Sequence, residues 1–277
     1  MTTKGYLYSL TGFGHAELFV VSCTHLRDRW SGPVTVLIDE KETSPIAEEI
    51  ENDPLLNVTV KRISLIKARR GTRHMATKTT MYLHTPYEYN VYLDCDTLPI
   101  GDLDELFEPK LALTQFNRWL STQRRVTKRI ERWKDISPLI EEMIETAKMG
   151  QPAVNTGVIG FRKSYREMYR WFDLVMMNPN SFLCDEIAMQ LLYPNLPEVE
   201  MFENKYNCSP TYGADEEDVR LWHFHGCRRH LKKEEGRKLW LPAFNRVMEM
   251  NVANIKDWAS HGDPRLQTFL PTPSVSQ

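Results

Sequence analysis

The sequence predicts an α/β protein with a mainly parallel central sheet flanked by helices on both faces. Short β-rich runs alternate with longer amphipathic stretches from the start of the chain, a pattern that calls for crossover connections and parallel strands. The helix-start signal Ser44-Pro45 falls between two such runs, with Ser44 as N-cap and Pro45 at the first helical position, where a missing N–H costs nothing. The 277 residues are 42% hydrophobic and no Pro/Gly/Ser-rich stretch divides them, so residues 1–265 read as a single domain.

In order, the runs are Tyr6–Leu10 (strand), His15–Trp30 (helix), Val34–Ile38 (strand), a helix from Ser44-Pro45, Asn57–Ile63 (strand), a polar helical stretch over Thr72–His84, and the apolar strand Val91–Leu93. Residues 117–150 read as a helical insertion that Pro138 divides. Val154–Phe161 resumes a strand, Ser164–Met177 and Asp185–Tyr193 read as helices, and Arg220–His225 is a last short strand before the basic run Arg228–Lys238. Residues 266–277, with prolines and no periodicity, read as a flexible C-terminal tail.

A formal net charge of −2 provides no overall positive field, which argues against nucleic acid as the partner and for small-molecule chemistry. Five scattered cysteines without a C-x-x-C pair do not suit a disulfide framework. The N-terminal residues lack the pattern of a secretory signal, and no run reaches the roughly eighteen apolar residues of a membrane span. The expected location is cytoplasmic, and the sequons at Asn57 and Asn207 then read as chance.

The chemistry concentrates at V-Y-L-D-C-D-T-L-P, Val91–Pro99, where two carboxylates stand at i and i+2 as an apolar strand ends. Side chains two apart on extended backbone share a face, so Asp94 and Asp96 can converge on one hard cation while Cys95 faces the other way. Ligands of parallel α/β sheets bind at this end of the strands. An Asp pair can equally begin a turn, and this pattern alone leaves both readings open. Asp102 and Glu105 have capping-box spacing and read as helix-capping acids.

Arg220–Gly226, R-L-W-H-F-H-G, puts His223 and His225 on one face of a short strand. An imidazole added to two carboxylates makes a mixed donor set that favours Mn²⁺, with Mg²⁺ as the other choice. The glycine and the basic cluster that follow (Arg228, Arg229, Lys232, Lys233) resemble one wall of a phosphate site, although Lys232 and Lys233 also fit a solvated helix face.

At these residues the chain resembles the GT-A glycosyltransferases and, within them, family 8, which contains glycogenin-like and bacterial galactosyltransferase-like enzymes. Tyr92–Asp96 reproduces that family's Y-L-D-x-D motif, and His223-Phe224-His225-Gly226 matches part of H-F-x-G-x-x-K-P-W. The resemblance implies a Rossmann-like nucleotide-sugar-binding domain, with Asp94, Asp96 and His223 as metal ligands and Arg229 at the diphosphate-binding lysine's position. Arg229-His230-Leu231 replaces K-P-W in this chain. Asn155-Thr156-Gly157-Val158 resembles N-S-G-V, whose asparagine faces donor sugar and acceptor. Cys184-Asp185-Glu186 falls where the family carries an acid followed by Gln, which implies that Asp185 binds donor hydroxyls and sets Glu186 in place of the Gln near the reacting face. Tyr8–Gly12 resembles the first strand and loop, so Ser9, Leu10 and Thr11 are implied contacts of base and ribose. Lys78 falls near a basic donor-binding position, and Cys95, Thr156, Gly157 and Gly226 complete the implied donor contacts.

The implied reaction moves a sugar from a nucleotide-diphosphate sugar, UDP-sugar favoured, to a hydroxyl on a glycan with retention of configuration. Asn155, Asp185 and Glu186 are the candidate catalytic residues. If the enzyme inverts instead, Glu186 or Asp185 becomes the general base. A sugar nucleotidyltransferase would need a glycine-rich phosphate loop, for which Gly12-Phe13-Gly14 is weak evidence. A nucleotide-sugar-binding module without turnover is the non-enzyme alternative. The Arg- and Trp-rich insertion (Arg118, Trp119, Arg124, Arg125, Arg129, Arg132, Trp133) offers either an acceptor surface for an anionic glycan, a phosphorylated acceptor or a peripheral membrane contact, or a solvated helix with its tryptophans packed inside.

Overall fold

The computed structural model describes residues 3–116, 122–149, 151–211, 216–225, 231 and 233–261. Strands β1 (Lys4–Leu10), β2 (Val34–Asp39), β3 (Thr59–Ile63), β4 (Tyr89–Leu93), β6 (Leu111–Gln115), β7 (Val154–Arg162) and β8 (Val199–Phe202) form one seven-stranded sheet in the order β3-β2-β1-β4-β7-β6-β8. The β1–β2, β1–β4, β2–β3 and β6–β8 pairings are parallel, whereas β7 runs antiparallel to both β4 and β6. The sheet is thus mainly parallel, as the alternation predicts, with one reversed strand that an apolar run cannot announce. A second, two-stranded sheet pairs β5 (Thr97–Pro99) antiparallel with β9 (Leu221–His223).

Period-two alternation along the strands fills a core on each face. Tyr6, Tyr8 and Leu10 of β1, Val36 and Ile38 of β2, and Val91 and Leu93 of β4 enter the first core, against α1 (Ala16–Arg27), α2 (Pro45–Asn52) and α9 (Glu234–Met250). Leu7, Leu37 and Tyr92 enter the opposite core, covered by α3 (Arg73–Lys78), α4 (Met81–His84), α5 (Thr122–Ile130), α6 (Pro138–Ala147), α7 (Met168–Met177) and α8 (Cys184–Leu192). Trp240 of α9 is buried and meets Phe224 edge-on at 5.0 Å, tying the last long helix to the residue after His223. Trp240→Ala is expected to cost about 3–5 kcal/mol, read from denaturant unfolding.

Several local expectations change. Ser44 occupies the N-cap of α2 with Pro45 behind it, but its hydroxyl makes no capping bond. The stretch Thr72–His84 is two short helices, because Thr79 and Thr80 turn their hydroxyls back onto the carbonyls of Ala76 and Thr77. Asp102 and Glu105 form no capping box: Asp102 accepts from the Asp104 N–H, while Glu105 accepts from the Tyr206 hydroxyl at 2.6 Å. Pro138 begins α6, capped by Ser137, so it starts a helix where the insertion divides. Trp133 is fully buried and donates to Ser181 Oγ at 2.9 Å, whereas Arg118, Trp119 and the 266–277 tail lie outside the described residues. No helix among the described residues is long and apolar enough to cross a membrane.

Candidate active site

The acidic pair sits at the carboxyl end of β4, in the middle of the sheet. Asp94 to Asp96 do not continue the strand. The Thr97 N–H and hydroxyl both donate to the Asp94 carbonyl, at 3.2 and 2.8 Å, and close a turn. The aspartates thus begin a turn, and the turn brings their carboxylates to one point. Cys95 is buried on the core side, where its thiol donates to the Ser9 carbonyl and so ties the turn to the end of β1.

The short β5–β9 ladder brings in the third member. Thr97 pairs with His223, and the Phe224 N–H donates to the Asp96 carbonyl at 2.9 Å. His223 Nε2 lies 3.1 Å from Asp96 Oδ1 and 3.7 Å from Asp94 Oδ2. One ligand atom from each of Asp94, Asp96 and His223 falls within 4.8 Å of the others, close enough to hold one metal ion. His225 instead packs against His223, ring centroids 3.8 Å apart, and against Phe116.

Behind the turn, Lys78 at the end of α3 is buried among acceptors. Its ammonium reaches Asp185 Oδ2 at 2.9 Å, Asp94 Oδ1 at 3.1 Å, and the carbonyl and hydroxyl oxygens of Thr156 at 3.2 and 3.3 Å. Burial opposes its charge, but Asp185 and Asp94 outweigh burial and hold the pKa above the ordinary lysine range. Asp185 shows the converse. Burial pushes its carboxyl up, and Lys78 with the Thr156 hydroxyl brings it below the usual range, so it is ionised. Asp96 is likewise raised by burial and lowered further by His223, ending below the usual range. The Tyr92 hydroxyl donates to Asp94 Oδ1 at 2.6 Å; burial and then the Asp94 charge keep it protonated.

A third group joins from the insertion. Arg129 of α5 is buried, pairs with Glu186 Oε2 at 2.9 Å, donates to the Val154 carbonyl at 3.0 Å and lies over the Phe116 ring. The Asn155 amide donates to Glu186 Oε1 at 2.5 Å. Burial raises the Glu186 pKa, an effect that Arg129 opposes and Asp185 reinforces. Among these residues Asp94, Asp96, Asp185 and Glu186 supply four carboxylates to two cationic side chains, Lys78 and Arg129. Two carboxylates and an imidazole make a donor set that fits a divalent metal ion.

The remaining candidates sort simply. Thr156 lines the Lys78–Asp185 contact through its hydroxyl, which donates to Asp185 Oδ2 at 2.7 Å. Asp185 Oδ1 is buried with no hydrogen-bond partner among the described residues. Ser9 and Thr11 are partly exposed at the end of β1, while the Leu10 side chain is in the core, leaving its main chain to contribute. Gly157 passes so close to His223 that an added Cβ would stand 2.1 Å from the ring carbon Cε1. Gly157→Ala is therefore expected to displace His223 and weaken metal binding about tenfold or more, measurable by Mn²⁺ titration. Gly226 and Arg229, with the basic cluster around them, lie outside the described residues. Sequence reasoning missed Tyr92 as a partner of Asp94, Asn207 beside His223, and His74, whose pKa burial lowers and on which Asp185, His15 and Lys78 also act.

No protein-family model matches the chain, and no curated protein matches it in sequence. Solved structures do. The galactosyltransferase LgtC in complex with donor and acceptor sugar analogues superposes with a TM-score of 0.60 at 12% identity, over 93% of this chain and 99% of that one. An active-site glutamine-to-glutamate mutant of LgtC gives 0.54 at 13% identity, over 79% of this chain and 86% of that one. The chain has the fold of these LgtC structures, the GT-A fold.

Proposed function

We propose that the protein is a metal-dependent glycosyltransferase that moves a sugar from a nucleotide-diphosphate sugar, UDP-sugar favoured, to a hydroxyl on a glycan with retention of configuration. The observation that carries this reading is the convergence of Asp94, Asp96 and His223 at the carboxyl end of β4, beside the Lys78–Asp185 pair, on this fold. The three ligands hold Mn²⁺, or Mg²⁺, and a divalent ion there supplies charge neutralisation of the departing diphosphate. Ser9, Leu10 and Thr11 border the base and ribose, Arg229 takes the diphosphate position that the resemblance gives it, and Cys95 and Gly226 complete the donor contacts. The free oxygen of Asp185 accepts a donor-sugar hydroxyl while Lys78 keeps the carboxylate ionised and fixed. Thr156 and Gly157 shape the wall behind the sugar, and Asn155 faces the reacting carbon.

Glu186 bears on stereochemistry. One of its oxygens accepts from Asn155, and the other lies 2.9 Å from the Arg129 guanidinium as an ion pair. Front-face displacement, with the leaving diphosphate helping to deprotonate the acceptor, is the reading that the resemblance supports, and inversion with Glu186 as base is the second reading, since burial raises its pKa. The LgtC structure with donor and acceptor analogues supports a two-substrate site of this kind. The test is release of nucleoside diphosphate from a panel of UDP-, GDP- and ADP-sugars with and without Mn²⁺. Metal-dependent release from one of them, with NMR showing the product anomer unchanged, is expected. Donor binding with no hydrolysis or transfer over many acceptors would support a binding module instead.

A further inference from the structure

Behind His223 runs a buried chain of hydrogen bonds whose direction is fixed by donors and acceptors that have no choice. It starts at the Gly157 main-chain N–H, which can only donate and does so to Asn155 Oδ1 at 2.9 Å. The Asn155 carbonyl oxygen is therefore at that end, and its amide nitrogen points to the Glu186 carboxylate. Asn207, fully buried, approaches the same Asn155 oxygen at 3.0 Å, which only an amide N–H can do. The second amide hydrogen of Asn207 goes to Thr114 Oγ1 at 2.7 Å, and the Thr114 hydroxyl sends its own hydrogen on to the Val158 or Asn155 carbonyl. With both hydrogens committed, the Asn207 atom 2.7 Å from His223 Nδ1 is its carbonyl oxygen. An acceptor opposite Nδ1 requires the ring to carry a hydrogen there.

We propose that Asn207 is a positioning residue that holds His223 in its Nδ1–H tautomer, leaving the Nε2 lone pair aimed between Asp94 and Asp96. In the metal-free protein the Asp96 carboxylate, 3.1 Å from Nε2, competes with the Asn207 oxygen for the ring hydrogen, and an Nε2–H donated to it would close that ligand position. Metal-binding histidines use the second ring nitrogen in this way, and losing its partner typically costs about ten- to a hundredfold in metal affinity. The same chain reaches from Asn207 through Asn155 to Glu186 and Arg129, so the ligand is oriented by residues on β7, α8 and α5 together. The inference rests on Asp94, Asp96 and His223 being a metal site and makes no use of sugar transfer.

The test is a long-range ¹H–¹⁵N correlation spectrum of the full, metal-free chain labelled in histidine, recorded at a pH where the His223 ring is neutral and assigned with His223→Gln. Wild type is expected to show a protonated Nδ1 and an unprotonated Nε2 at His223; the reverse pattern would overturn the proposal, and this reading needs no variant that must fold. Asn207→Leu is expected to switch the ring to Nε2–H and to weaken binding of Mn²⁺ alone by about ten- to a hundredfold. Thr114→Val, which removes only one acceptor of Asn207, should keep the wild-type tautomer. An Asn207→Leu chain that folds and retains the wild-type ring pattern would also overturn the proposal. A protein that transfers no sugar would give the same spectra, so failure of the transferase reading is separate from failure of this one.

Discussion

Arg129→Met is expected to destabilise the protein by about 3–5 kcal/mol, and Glu186→Gln in the same chain is expected to recover most of that loss. Arg129 and Glu186 are both buried and meet at 2.9 Å, so removing the guanidinium leaves a carboxylate with its desolvation uncompensated. Replacing both charges removes the penalty. Recovery should be incomplete, because Arg129 also donates to the Val154 carbonyl and lies over Phe116, contacts that methionine makes only in part. A double-mutant cycle by denaturant unfolding measures the coupling, and strictly additive losses would mean the pair is not the unit described. Donor turnover should follow the same pattern, since Glu186 holds Asn155 at the proposed reacting face.

The second large effect belongs to the acidic turn. Asp96→Ala is expected to lower metal-dependent release of nucleoside diphosphate by about a hundredfold or more, the scale seen when a preorganised electrostatic partner of the transition state is lost. Stability should change less than turnover, because Asp96 stands at a turn, where its side chain meets His223. Lys78→Met is expected to affect both stability and turnover. It leaves Asp185 and Asp94 without their shared cation, so it should unfold the chain more readily as well as slow it. Parallel melting and turnover measurements on the two variants separate a ligand from a structural counter-ion.

Much of this was readable in the sequence because it is local. The βα alternation, the helix start at Pro45 and the placement of the acids at a strand end all depend on neighbours within a few residues. The turn at Asp94–Asp96 was one of two open readings, and the Thr97 hydroxyl decides it from within the same segment. The reversed direction of β7 was not legible, since an apolar run looks alike in either orientation. Arg129 appeared only as one of several arginines in a basic helix. Its partner Glu186 lies far along the chain, and only the packing of α5 against α8 joins them. Asn207 was set aside as a chance sequon. It is buried beside His223, a position that follows from Cys208 bridging to Trp222 next to β9 and from no feature of its own neighbourhood in sequence.

The most direct measurement is a titration of the metal-free protein with Mn²⁺ in the presence of a UDP-sugar, following unbound Mn²⁺ by electron paramagnetic resonance. Saturable binding of a single ion per chain is expected, lost in Asp94→Ala, Asp96→Ala and His223→Ala and retained in His225→Ala. Saturable binding that survives all three ligand replacements, or that disappears with His225→Ala while His223→Ala keeps it, would contradict the assignment of Asp94, Asp96 and His223 as the metal centre.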